Sequence, residues 1–145
     1  MPFCHGRPLT ARWRAQDFGM TRRVKVFFDG GCRPNPGRME LAVVVGGQCT
    51  IQRDLGYGTH QDAEWLALIA ALRTAQALAL TDFVLLGDAV AVIGPANGTA
   101  ACKGTAAAHL ATLRALEAAT GPARIRYIKR AQNLAGIALA RLHPR

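Results

Sequence analysis

The chain has 145 residues, half of them hydrophobic and 19% charged, a balance that supports one domain with a buried core and excludes a disordered chain. Its net charge of +9 calls for an anionic partner, nucleic acid or a membrane surface, although fifteen of the eighteen basic residues are Arg, an enrichment that GC-rich coding also produces. No apolar stretch reaches the roughly 20 residues that a bilayer crossing needs, and no apolar segment near the start precedes a small-residue cleavage site, so neither membrane insertion nor secretion is expected.

Residues 1–22 mix Arg7, Arg12, Arg14 and Arg22 with Phe3, Trp13 and Phe18 without a period of two or 3.6, which predicts a mobile basic tail ahead of a domain at 23–145. A strand follows from Arg23 to Asp29, and the Gly- and Pro-rich segment 30–37 predicts an irregular loop. Met39–Val45 and Cys49–Tyr57, separated by Gly46-Gly47, predict two further strands in a hairpin. Thr59 is placed to cap a long helix that carries Asp62 in its first turn and Leu66, Ile69 and Leu72 on its apolar stripe. Phe83–Leu86 predicts a buried strand that a helical crossover makes parallel. A short helix near 89–93, a second long helix over 105–119, a strand over 124–128 and a last helix over 133–142 complete the order, with Leu134, Ile137 and Leu142 available for packing. The expected fold is α/β: a five-stranded mixed sheet, three strands antiparallel and two parallel, with helices on both faces.

Three of the nine acids stand at element boundaries: Asp29 closes a strand, Glu64 lies in the opening turns of a helix, and Asp88 closes another strand. Taken singly, such residues are more often turn formers or helix caps than ligands. Together they form a candidate oxygen-donor set for a divalent metal. Four cysteines, Cys4, Cys32, Cys49 and Cys102, show neither C-x-x-C pairs nor the density of a disulfide scaffold, which fits reduced thiols in a cytoplasmic protein.

The surroundings of the three acids give a more specific reading. Asp29-Gly30-Gly31-Cys32-Arg33-Pro34-Asn35-Pro36-Gly37 resembles the first motif of the ribonuclease H family, Thr59-His60-Gln61-Asp62-Ala63-Glu64 the second, and Gly87-Asp88-Ala89 with Asn97-Gly98 the third. The fourth motif departs: where family members end in a pattern like Arg-x-x-Asn-x-x-Ala-Asp, this chain has Arg130-Ala131-Gln132-Asn133-Leu134-Ala135-Gly136-Ile137. Ile137 thus stands where the fourth active-site carboxylate belongs, and an isoleucine offers a metal no ligand.

The resemblance implies an endonuclease, its activity reduced by the missing fourth carboxylate, that cleaves the RNA strand of RNA–DNA hybrids with Mg²⁺ or Mn²⁺, two ions when substrate is bound, held by Asp29, Glu64 and Asp88. It also implies nucleic-acid contacts from Gly30, Cys32, Asn35, Thr59, His60 and Gln61, with Glu64 and the backbone near Cys32 and Asn35 reading the 2′-hydroxyl and Thr59 holding a DNA phosphate. His60 and Gln61 replace the two Asn usual in the second motif. The basic protrusion of some members, and the His that others carry before the last helix, have no counterpart here. His60, His109 and His143 read as surface or packing residues rather than ligands. The alternative is a nucleic-acid-binding module that keeps the fold without the metal pair, and Ile137 is the residue that divides the two readings. No membrane partner and no dedicated protein partner are indicated.

Overall fold

The structure, a computed structural model, describes residues 23–143; the tail expected at 1–22 lies outside the described residues. Strand β1 (Val24–Cys32) alternates its side chains between two covered faces: Val26 and Phe28 on one, Phe27 and Asp29 on the other. It pairs antiparallel with β2 (Gly37–Val45) and parallel with β5 (Phe83–Gly87). The main path of the sheet runs β3–β2–β1–β5–β6, where β3 is Gln48–Gln52 and β6 is Ile125–Tyr127.

Two details of the sheet differ from expectation. The predicted strand over 49–57 divides, because Asp54 (φ 59°) and Gly56 (φ 100°) turn the chain off β3. Its far end returns as a two-residue strand, β4 (Tyr57–Gly58), paired with the start of β2, so the described residues form six strands rather than five. The predicted loop over 30–37 is also shorter. Gly31 and Cys32 stay in register with Glu40 and Met39, and only residues 33–36 leave the ladder.

Helices cover both faces, as the order of elements implied. Helix α1 (His60–Ala77) starts with a reciprocal capping box between Thr59 and Asp62. Ala63, Ala67, Ala71 and Ala75 are all fully buried, and their small side chains let the helix lie close against the sheet. Trp65, Leu68 and Leu72 of α1 join Val26, Phe28 and Leu85 of the sheet in the main core, each such burial contributing about 1.5–3 kcal/mol. Helices α2 (Val90–Ala96) and α3 (Ala106–Thr120) extend this layer, the latter through Leu113.

The opposite face is covered by α4 (Leu134–Arg141), whose Ala135, Ala138 and Leu139 pack on Ala42, Val44 and Cys49. Leu134 and Leu142 pack beside them as expected, but Ile137 is only half-buried and borders a cavity instead. Asn133 fixes the start of this helix. Fully buried, it donates from its amide to the Phe28 carbonyl at 3.0 Å and accepts the Ala135 N–H at 3.1 Å. Asn133→Ala removes a cap and a strand-to-helix tie together, and urea denaturation is expected to show a loss of about 2 kcal/mol. No helix among the described residues is long and apolar enough to cross a membrane.

Candidate active site

Because β1 and β5 are parallel and adjacent, they end at the same edge of the sheet. Asp29 near the end of β1 and Asp88 just beyond β5 therefore meet there, and the first turns of α1 bring Glu64 to the same point. Oxygen atoms of Asp29, Glu64 and Asp88 all lie within 4.8 Å of one another. The three acids singled out in the sequence thus form one cluster.

Gly30 makes this approach feasible. A Cβ at residue 30 would stand 2.1 Å from the Ala63 carbonyl oxygen, so only glycine lets β1 cross the start of α1 at this depth. In the space so gained, the Gly30 N–H donates to Glu64 Oε1 at 3.0 Å.

Crowding governs the electrostatics. Burial, then the Glu64 charge and hydrogen bond, then the Asp88 charge push the Asp29 carboxyl up to about 9, with Arg130 opposing. Glu64 is also raised, chiefly by burial, against hydrogen bonds from Asp29 and Gly30. Without a cation, this crowding favours a proton shared between the two carboxyls. His60 Nε2 lies 3.8 Å from Glu64 Oε1, and Arg130 Nε lies 3.4 Å from Asp88 Oδ2; Arg130 is largely exposed, so its ion pair contributes little stability. Three carboxylates with an excess of confined negative charge fit a hard divalent cation, which takes oxygen ligands and displaces protons from them.

Two adjoining cavities open onto the cluster. One, of about 330 Å³, is bordered by Asp29, Gly31 and Asp88 on the sheet side and by Gly136 and Ile137 of α4. The helix passes so near that a Cβ at residue 136 would stand 3.4 Å from Asp29 Oδ2. The other, of about 660 Å³, runs past Asn35, Thr59, Gln61 and Val90 and shares His60, Asp88 and Arg130 with the first.

The remaining residues singled out from the sequence divide by position. Thr59, His60, Gln61 and Asn35 border the wider cavity, but Thr59 is engaged in the capping box and Asn35 Oδ1 accepts the His60 N–H at 2.9 Å. Cys32 is buried, its Sγ 3.6 Å from both Asn35 Oδ1 and the Gly58 carbonyl. Gly30 and Cys32 both border the smaller cavity. His109 lies against Trp65 and bonds Asp62 Oδ1 at 3.1 Å, a packing role as expected. Two residues at the site were not anticipated, Arg130 beside Asp88 and Glu40 on the wall of the smaller cavity. Glu40 did leave a signal: an acid inside an apolar strand requires a partner.

The reverse transcriptase-like family matches residues 28–143, and the chain belongs to this family as a ribonuclease H-like domain. Among solved structures it is similar to ribonuclease H1 from the halophilic archaeon Halobacterium salinarum NRC-1, with 29% identity and a TM-score of 0.72 over 81% of this chain and 94% of that one. The N-terminal ribonuclease H domain of Rv2228c from Mycobacterium tuberculosis, solved as a fusion with maltose binding protein, shows 28% identity and a TM-score of 0.67 over 84% and 99% of the two chains. LC11-RNase H1 in complex with an RNA/DNA hybrid shares the fold at 23% identity and a TM-score of 0.69, covering 77% and 89%. No curated protein matches the chain.

Proposed function

We propose that this chain is a metal-dependent endonuclease that hydrolyses the RNA strand of RNA–DNA hybrids in the cytoplasm. The carrying observation is the convergence of Asp29, Glu64 and Asp88 within 4.8 Å at one sheet edge. These residues would hold Mg²⁺ or Mn²⁺, two ions with substrate bound, which supply activation of the attacking water and stabilisation of the leaving oxygen. Support comes from two relatives named as ribonuclease H proteins and from a structural neighbour solved with an RNA/DNA hybrid.

The chain's own residues prepare the site. Asp29 and Glu64, both raised by burial, would give up a proton to hold a cation as ligands. Arg130 sets a positive charge at the mouth of both cavities, where it draws in a phosphate. The wider cavity, bordered by Asn35, Thr59, His60 and Gln61, receives the backbone next to the scissile bond. Glu64 and the backbone near Cys32 and Asn35 read the 2′-hydroxyl that distinguishes RNA from DNA.

A purified sample incubated with a labelled RNA–DNA hybrid in Mg²⁺, and separately in Mn²⁺, is expected to shorten the RNA strand and leave the DNA strand and a matched DNA duplex intact. A second reading, a binding module without catalysis, rests on Ile137 at the cavity wall. Salt-sensitive hybrid binding without cleavage in either metal is the result that favours it.

A further inference from the structure

Glu40 is a buried acid in a strand whose neighbours Met39, Leu41, Ala42 and Val43 are all apolar and buried. It faces Gly31 across the β1–β2 ladder, and Gly31 has no side chain to screen it from the cavity. Asp29 is the diagonal neighbour on the same face of β1, a relation that separates Cα atoms by about 7–8 Å. Glu40 thus borders the cavity that Asp29 and Asp88 enter, and Ile137 borders it from α4.

Two cationic or proton-donating groups hold Glu40. His143, beyond the end of α4, places Nε2 at 2.5 Å from Glu40 Oε2, and Arg53 places Nε at 3.4 Å from Oε1. The plain account of this trio is a pin between β2 and the end of α4. Yet Ala42, Val44, Ala138 and Leu139 already join those elements, and a buried ion pair seldom stabilises more than an apolar pair of similar size. Stability alone gives little reason for an acid here.

We propose that Glu40 is the fourth carboxylate of the site, supplying from the β2 wall the negative charge that Ile137 does not supply from α4, with His143 and Arg53 as its positioning residues. The proposal rests on the reading of the Asp29 cluster as a metal centre. In that arrangement Glu40 joins Asp29 and Asp88 on the smaller cavity, with Glu64 beside them in the cluster.

The test is Mn²⁺ binding by the full chain, followed by electron paramagnetic resonance without nucleic acid, for the parent, Asp29→Asn, Glu40→Gln and Ile137→Asp. Glu40→Gln is expected to weaken Mn²⁺ binding about tenfold, in the range for groups that support metal ligands, with far-UV circular dichroism unchanged. Adding Ile137→Asp to Glu40→Gln is expected to restore the affinity. Ile137→Asp alone, which does not depend on the folding of a Glu40 variant, is expected to tighten binding by less than about threefold, because the charge is already present. Parent-like affinity in Glu40→Gln, with binding lost in Asp29→Asn, overturns the proposal and leaves the metal centre standing. A gain near a hundredfold from Ile137→Asp alone also overturns it. A parent chain that binds no Mn²⁺ at millimolar concentration overturns both.

Discussion

Asp29→Asn is expected to abolish hybrid cleavage, a loss on the order of a thousandfold or more, while making the metal-free protein more stable at neutral and alkaline pH. The activity loss follows from position. Asp29 shares the cluster with Glu64 and Asp88 and borders the cavity, and the charge stabilisation that a metal centre supplies is worth several kcal/mol. Asparagine keeps the shape but neither the charge nor the ligand strength.

The stability gain follows from the proton shared with Glu64. Asp29 has its carboxyl at about 9 in the folded chain against 3.8 ordinarily, so between these values the folded state binds more protons than the unfolded one. Stability from this group is therefore complete below about pH 4 and falls as pH rises towards 9. Glu64, also raised, adds a change of the same sign. The asparagine side chain does not titrate, so the variant should lose less stability over this range, a difference on the order of a few kcal/mol. Urea denaturation in chelator at pH 5, 7 and 9 measures it. A parent that gains stability on the variant from pH 5 to 9 would refute the shared-proton account.

Gly30→Ala is expected to produce the largest structural effect, at least about 3 kcal/mol of destabilisation. The added methyl would meet backbone, the Ala63 carbonyl at 2.1 Å and the Glu64 nitrogen at 2.9 Å, neither of which can rotate away like a flexible side chain. To relieve the clash, β1 and α1 must separate, which lengthens the Gly30–Glu64 hydrogen bond and spreads the acids. Chemical denaturation and Mn²⁺ affinity should both register the change. An alanine variant with parent-like stability and affinity would show that the strand and helix have slack at this crossing.

Much of this arrangement is written in short stretches of chain. Thr59 and Asp62 are three residues apart and form their capping box without outside help, so the start of α1 and the placement of Glu64 were legible. Asp29 and Asp88 each close an apolar run, and that local pattern, with the motifs around them, was enough to bring them together. What escaped depends on partners far along the chain. Glu40 meets His143 across a separation of 103 positions, and only the register of β2 on β1 shows which face it takes. His143 reads in the sequence only as a surface or packing residue, and the strand beneath the helix gives it a carboxylate partner. The division of the third strand escaped too, because Asp54 adopts a backbone conformation that composition does not announce.

The parallel pairing of β1 with β5 has a last consequence, in mass action. Asp29, Glu64 and Asp88 belong to separate elements and converge only where those strands end together, so the unfolded chain offers a divalent ion no comparable site. An ion that binds the folded form alone raises its stability with concentration, by about 2.7 kcal/mol at a hundred times its dissociation constant. If the Asp29 cluster takes up such an ion, its supply would set how much of the chain survives proteolysis, and starvation for metal would deplete the protein itself.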